Sequence, residues 1–144
     1  MKVVVIHGPN LNRLGSRELS VYGSATLDEV NELIGKAAVA LEIEVEMHQT
    51  AREGEIIELL HAAVDQVDGA LLNPAAYSHT SRAIADAIRS VPYPVIEVHL
   101  SNIHAREAWR ATSVTAEAAA GIVAGFGAQS YIAALHALKG IAQR

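Results

Sequence analysis

The sequence predicts an open, all-parallel α/β sheet of five strands in the order 2-1-3-4-5, with helices on both faces. Three observations carry this. Short apolar runs alternate with amphipathic helical stretches along the chain, the pattern of repeated βαβ units. The first run, Val3-Val4-Val5-Ile6, is wholly β-branched, as in a central parallel strand covered on both faces. The second, Glu42-Ile-Glu-Val-Glu-Met47, alternates strictly, which marks a half-wet strand at a sheet edge, where charges discourage pairing with another chain.

After strand 1 comes a long polar loop, His7 to Gly23. Its Gly8, Pro9, Asn10, Gly15 and Gly23 disfavour regular structure. It concentrates His7, Asn10, Asn12, Arg13, Ser16, Arg17, Glu18 and Tyr22 in one place. Loops of this length in compact domains are usually functional or disordered, and this one reads as an active-site loop. Thr26-Leu-Asp-Glu29 is a capping box, opening a helix to about residue 41 with Leu27, Val30, Ile34, Ala37, Ala38 and Leu41 at helical spacing. The next helix starts near Glu53, with Ile56, Leu60, Ala63, Val64 and Val67 inward. Gly69 to Asn73 is a short buried strand, followed by the polar turn Pro74 to His79. Thr80 or Ser81 caps a third helix, with Ile84, Ala87 and Ile88 inward, and Pro92 and Pro94 end it. Val95 to Leu100 is the fourth strand. A short helix runs from Ser101 or Asn102 to about Arg110, and the fifth strand lies near Gly121 to Gly125. The last helix runs from about Gly127 to Gln143, with Leu135, Leu138 and Ile141 inward.

Right-handed crossovers and an edge position for strand 2 make this a flavodoxin-like sheet with its topological switch point between strands 1 and 3. Ligands bind at the carboxyl ends of strands beside such a point. The chemistry is therefore expected just after Ile6, after Leu72 and near Leu100, where the polar clusters fall.

The 144 residues are expected to form one domain. Half the residues are apolar and 19% are charged, as in a compact folded protein. A formal charge of −5 with no Lys/Arg block gives no reason to expect nucleic acid. The absence of cysteine excludes disulfides, thiolate metal sites and thiol nucleophiles. No apolar run approaches the ~18 residues of a membrane span, and the N-terminus enters a strand at once, so the expected setting is cytoplasmic. The loop carries neither GK[ST] nor GxGxxG, and no GxSxG elbow serves Ser78 or Ser101. The histidines show no HExxH or close ligand spacing, so no metal is expected. Lys2, Lys36 and Lys139 all lie away from strand carboxyl ends, which argues against a Schiff-base route.

Two constellations remain. Glu97, His99 and Ser101 share one side of strand 4 if the strand persists that far. A carboxylate two residues from a histidine can orient the ring and favour its protonated form, the requirement for a general acid near neutral pH. The pair reads equally as a buried Glu matched to a core His. Arg106 and Arg110, four apart, share a helical face and are either a solvated pair or an anchor for an anion. Tyr22 alone is an ordinary packing residue, but its loop also holds Arg13 and Arg17, and Arg106 can approach from strand 4. A phenol needs its pKa lowered by about three units, roughly 4 kcal/mol, to act as a base at neutral pH. One or two close guanidiniums in a desolvated pocket can supply that. His7 is expected to line the base of the loop, whereas His48, His61, His104 and His136 read as structural or surface residues.

Together, HGPNLNRLGSRE-x3-YG, NPAAYSHTS and EVHLSNIHAREAWR resemble the signatures of type II 3-dehydroquinate dehydratase. The likeness continues through SVT (113–115), GFGAQSY (125–131) and the last helix, so it spans essentially the whole chain. The resemblance implies a flavodoxin-like fold and anti elimination of water from 3-dehydroquinate to 3-dehydroshikimate through an enolate, in the shikimate pathway or in quinate breakdown. No metal or cofactor is implied, and the assembly is typically a homododecamer built from trimers. Carried over by residue, Tyr22 is the base that removes the C2 proton, with Arg17 holding its anion and Arg106 assisting. Asn10 positions a water that stabilises the enolate oxygen. His99, oriented by Glu97, protonates the departing C1 hydroxyl. Asn73, His79 and Arg110 bind ring hydroxyls, while Ser101 and the Leu100 amide grip the carboxylate. Asp86 reaches a neighbouring subunit's site. The loop bearing Arg13, Arg17 and Tyr22 then acts as a lid rooted at Asn10.

Three departures from the family pattern stand out. Ala75 occupies a position that is usually glycine; if φ is positive there, alanine is strained by ~1 kcal/mol or more and can displace Asn73. Ala85-Asp86 replaces a common Arg-Asp, removing an arginine that can support a subunit contact. Thr50-Ala-Arg-Glu-Gly54 follows Gln49 where Ser-Asn-His-Glu-Gly is common. Two other readings stay open: a non-catalytic paralogue that binds a similar anion, and a flavodoxin-like module for FMN or another phosphate ligand.

Overall fold

The computed structural model describes residues 1–16 and 18–144. Strands β1 (Lys2–His7), β2 (Glu44–Gln49), β3 (Gly69–Asn73), β4 (Val95–His99) and β5 (Gly121–Ala124) form one sheet in the order β2-β1-β3-β4-β5. All four pairings are parallel. The helices are α1 (Leu19–Tyr22), α2 (Leu27–Ala40), α3 (Glu53–Ala62), α4 (Arg82–Ser90) and α5 (Gln129–Ala142). The flavodoxin-like order expected from the sequence is the one observed. Among the described residues no helix is long and apolar enough to cross a membrane.

Strand alternation sorts the core into two layers. Val3, Val5, Leu71, Ile96 and Val98 pack against Val30 and Ile34 of α2 and Ala134, Leu135 and Leu138 of α5. Val4, Ile6, Ala70, Leu72 and Val95 pack against Ile56 and Leu60 of α3 and Ile84, Ala87 and Ile88 of α4. His7 and Asn73, register partners at the ends of β1 and β3, continue the rows of Val5 and Leu71 toward α2 and α5. Glu97 and His99 continue the row of Val95 on the opposite side. Where the strands end, Gly8 donates its N–H to the Asn73 carbonyl at 2.8 Å, and a Cβ at Gly8 would lie 2.8 Å from that oxygen. Only glycine lets the two chains approach so closely.

Local chemistry fixes the element ends. The Thr26 hydroxyl accepts the Glu29 N–H at 3.2 Å, and Ser81 rather than Thr80 caps α4 by accepting the Ile84 N–H at 3.0 Å. β2 begins at Glu44, two residues later than its alternating pattern suggests. The reason is a Schellman closure of α2: Glu42 donates to the Val39 carbonyl at 3.1 Å and Ile43 to that of Ala38 at 2.8 Å, with Glu42 at φ 58. Buried Ile43 belongs to the hydrophobic contact of that motif rather than to the strand. α3 stops at Ala62, before Asp65 turns the chain at φ 63, while Val64 and Val67 still pack on the core.

The expected helix from residue 101 or 102 to 110 is not formed. Two 3₁₀ turns, Ile103–Ala105 and Ala108–Ala111, flank an extended Arg106 at φ −117, ψ −156. Arg106 and Arg110 therefore do not share a helical face.

Candidate active site

The His7 to Gly23 loop is anchored rather than loose at its start. Asn10 sits in the left-handed region at φ 68, a conformation asparagine tolerates better than most residues. It leads into a 3₁₀ turn, Leu11–Arg13, and Leu11 and Leu14 are buried in the core layer of α2 and α5. Tyr22, at the end of α1, packs partly against the same layer. Its ring is thereby held over the carboxyl ends of the strands.

Arg106 arrives from 84 residues away. Its Nη1 donates to Tyr22 Oη at 2.7 Å, its Nη2 lies 3.6 Å from Glu18 Oε2, and its side chain is only 9% exposed. A fixed cation and donor thus face the phenolic oxygen, the atom that bears charge once the proton has left. The extended backbone at Arg106 is what permits this reach. Arg17, expected to hold the same phenol, lies outside the described residues.

Across the pocket, Glu97 and His99 do share one side of β4. Glu97 is fully buried, and its carboxylate accepts from Ser113 Oγ at 2.7 Å and from Thr115 Oγ1. These two hydroxyls satisfy a buried charge that would otherwise be costly. His99 Nε2 lies 3.3 Å from Glu97 Oε2 but is not aligned for a hydrogen bond. Nε2 is therefore the ring nitrogen turned to the carboxylate, and Nδ1 the one turned away from it. The His79 ring stacks near that of His99, centroids 6.5 Å apart. Its own Nδ1 carries a proton, because it donates to the Thr112 carbonyl at 2.7 Å.

One small cleft of about 120 Å³ joins these groups, lined by Asn10, Tyr22, Asn73, His79, His99, Leu100, Ser101, Arg106 and Arg110, with Leu11, Ala75, Ala76 and Ile103. It is well below the ~300–1,000 Å³ of drug-sized sites. Arg110 pairs with Glu107 and stacks 4.2 Å over the Trp109 ring, which turns it into the cleft without a helix. Glu97 stands behind His99 instead of lining the cleft. Asp86 does not enter it; the residue is exposed on α4 and lies 3.4 Å from Arg89.

Ala75 does adopt φ 52, so the expected strain is real. The expected displacement of Asn73 does not follow. Asn73 Oδ1 accepts the Ala75 N–H at 3.1 Å and its Nδ2 donates to Tyr131 Oη at 3.1 Å. Ala75→Gly should raise stability by about 0.5–1 kcal/mol, the relief of left-handed strain less the added freedom of the unfolded chain. A rise in the urea midpoint at unchanged m-value checks this. Ala85 is buried on α4. Thr50 is an adequate substitute at its position: it accepts the Arg52 N–H at 3.1 Å and donates to Glu55 at 2.7 Å, tying down the start of α3.

Sequence reasoning gave Ser113, Thr115 and Tyr131 no role and left His7 without partners. The available signals were that a buried carboxylate needs donors and that SVT (113–115) and GFGAQSY (125–131) belong to the family likeness; neither pairs Glu97 with the two hydroxyls. Among the described residues, no group of three or more His, Cys, Asp or Glu side chains is placed to hold a metal ion.

The fold and cleft together define a flavodoxin-like α/β protein whose switch point carries a small cleft lined by two arginines and by hydrogen-bonding side chains. The chain belongs to the class II dehydroquinase family, whose sequence profile matches residues 1–139. A 3-dehydroquinate dehydratase of Caldanaerobacter subterraneus subsp. tengcongensis is 53% identical to it over 138 residues, 96% of this chain and 93% of that protein. One of Rhizobium meliloti is 48% identical over 142 residues, 99% of this chain and 96% of its own length. The crystal structure of type II dehydroquinase from Butyrivibrio crossotus is similar with a TM-score of 0.94 at 42% identity, covering 96% of this chain and 97% of that one.

Proposed function

We propose that this cleft dehydrates 3-dehydroquinate to 3-dehydroshikimate, with Tyr22 as the base and His99 as the acid. The activity is that of the family to which the chain belongs, a hydro-lyase reaction of the shikimate pathway. The observation that supports the residue assignment best is the Arg106–Tyr22 contact, 2.7 Å, in the cleft that also holds His99. The Tyr22 oxygen takes the C2 proton, and the electron pair moves into the C3 carbonyl to give an enolate. Asn10 positions a water that donates to the enolate oxygen, electrostatic stabilisation where charge develops. The enolate then collapses, the C1–O bond breaks, and His99 gives its proton to the leaving hydroxyl, which departs as water. Arg17 and Arg106 hold the phenolate, and Glu97 stands behind the imidazole.

Asn73, His79 and Arg110 bind ring hydroxyls, and Ser101 with the Leu100 amide takes the carboxylate. The route needs a base, an acid and an anion stabiliser; Tyr22 and His99 supply the first two, and Asn10 supplies the third through the water it positions. A homododecamer built from trimers goes with this reading, with exposed Asp86 directed to a neighbour's site. So does a cytoplasmic setting. A non-catalytic relative is not favoured, because neither Tyr22 nor His99 nor Arg106 is replaced.

The test is a coupled absorbance assay for 3-dehydroshikimate with purified protein. Turnover that survives borohydride in the presence of substrate is expected. No turnover sinks the enzymatic reading, and inactivation with a covalent adduct would require a lysine route instead.

A further inference from the structure

We propose that Tyr131 and His7 are positioning residues that fix which way the Asn73 carboxamide faces the substrate. The inference rests on the reading of Asn73 as a substrate-binding residue. Behind Asn73 runs an unbroken chain, buried as far as His7 and half-buried at Asn31: Asn73 Nδ2 to Tyr131 Oη at 3.1 Å, Tyr131 Oη to His7 Nδ1 at 2.8 Å, and His7 Nε2 to Asn31 Oδ1 at 2.7 Å. His7 is completely buried and Tyr131 nearly so. The chain crosses from β3 to α5, back to β1 and out to α2, so it ties the cleft wall to four elements.

Its polarity is set by one group that cannot reverse. The Ala75 backbone N–H can only donate, and it donates to Asn73 Oδ1. Asn73 must then turn its NH₂ to Tyr131, whose oxygen accepts. The Tyr131 proton is left for His7 Nδ1, so His7 must carry its own proton on Nε2 and give it to Asn31. Every contact along the chain pairs a donor with an acceptor in that one direction, and reversing any member leaves two donors or two acceptors face to face. Fully satisfied buried networks of this kind are what rigidify a local structure. A cationic His7 would put a donor on both ring nitrogens and break the sequence at Tyr131. Burial opposes that by pushing the His7 pKa down to about 4. What remains for the substrate is one N–H and one lone pair of Asn73, in a fixed arrangement.

A double-mutant cycle on kcat/KM for 3-dehydroquinate tests this. Tyr131→Phe keeps the ring and removes only the hydroxyl; it should lower kcat/KM about tenfold, chiefly through KM. In an Asn73→Ala background the same change should cost less than about twofold. Equal losses in both backgrounds would show a merely structural role and overturn the proposal. His7→Asn, whose side-chain oxygen can stand where Nδ1 accepts, should restore most of what His7→Leu loses; equal loss in both would also overturn it. Two spectroscopic readouts are independent of turnover. Histidine ¹⁵N resonances should show His7 neutral with its proton on Nε2 at pH 7. The Asn73 carboxamide protons should exchange faster in Tyr131→Phe. A His7 protonated on Nδ1, or unchanged Asn73 exchange, refutes the relay even if the wild-type protein proves inactive, whereas an inactive wild type with both signatures present refutes the dehydratase reading alone.

Discussion

Tyr22→Phe is expected to lower kcat by roughly 10²–10⁴-fold, at the upper end of that range, while KM changes by no more than about threefold. The argument is that the hydroxyl does different work in the two states. In the ground state the ring mostly packs against the core layer of α2 and α5, and phenylalanine preserves that contact. Only when the C2 proton moves does the oxygen become indispensable, because it is the atom that takes the proton; until then the Arg106 donor at 2.7 Å holds it as the anion. An interaction made only in the transition state lowers kcat without weakening substrate binding. Loss of the hydroxyl also leaves Arg106 with Glu18 as a remaining neighbour at 3.6 Å, so the loop is not expected to unfold. Steady-state kinetics on the variant, with its thermal melt as a control for folding, decide the matter. A fall in kcat below tenfold would remove Tyr22 from the role of base.

The fold was legible because its signals are local. A β-branched run, an alternating run and capped amphipathic helices each depend on neighbours a few residues away, and together they fixed the strand order. The site was legible in part for the same reason: a switch-point sheet puts the ends of β1, β3 and β4 side by side, so the polar residues after them had to meet. What could not be read is what depends on distant partners. Nothing in the spacing of Arg106 and Arg110 shows that the backbone becomes extended between them, at Arg106, to deliver one guanidinium to Tyr22. The spacing predicts a shared helical face, and the extended Arg106 between two 3₁₀ turns overturns it. Likewise the hydroxyls of Ser113 and Thr115 reach Glu97 from a segment without regular pattern. The start of β2 was misplaced because Glu42 and Ile43 satisfy two periodicities at once, the strand's alternation and the apolar closure of α2. Ala75 shows the opposite case. The left-handed requirement was readable from the family pattern, whereas its harmlessness to Asn73 depends on Tyr131 in the last helix.

Lowering the pH from 6.5 to 4 should cost the folded protein about 3 kcal/mol through His7 alone. Its pKa is lowered from 6.5 to about 4 in the folded state, by burial first and against a smaller opposing effect of the Asn31 hydrogen bond. Above 6.5 the ring is neutral whether the chain is folded or unfolded, and it contributes no pH dependence. Between 6.5 and 4 the unfolded chain binds a proton that the folded one refuses, so stability falls as pH falls. Below 4 both states hold the proton and the contribution levels off. The protein's carboxylates also titrate near the lower end of this window, so the informative quantity is the difference between wild type and His7→Asn. Denaturant midpoints at fixed protein concentration should converge for the two proteins as the pH drops from 7.5 to 4, because asparagine has no proton to take up. Parallel curves would mean that His7 protonates freely when folded. That result would also weaken the relay to Asn73, since protonation turns Nδ1 from the acceptor of the Tyr131 proton into a competing donor. The acid sensitivity of the fold and the orientation of the cleft wall therefore have one physical origin, a histidine that must stay neutral to be useful.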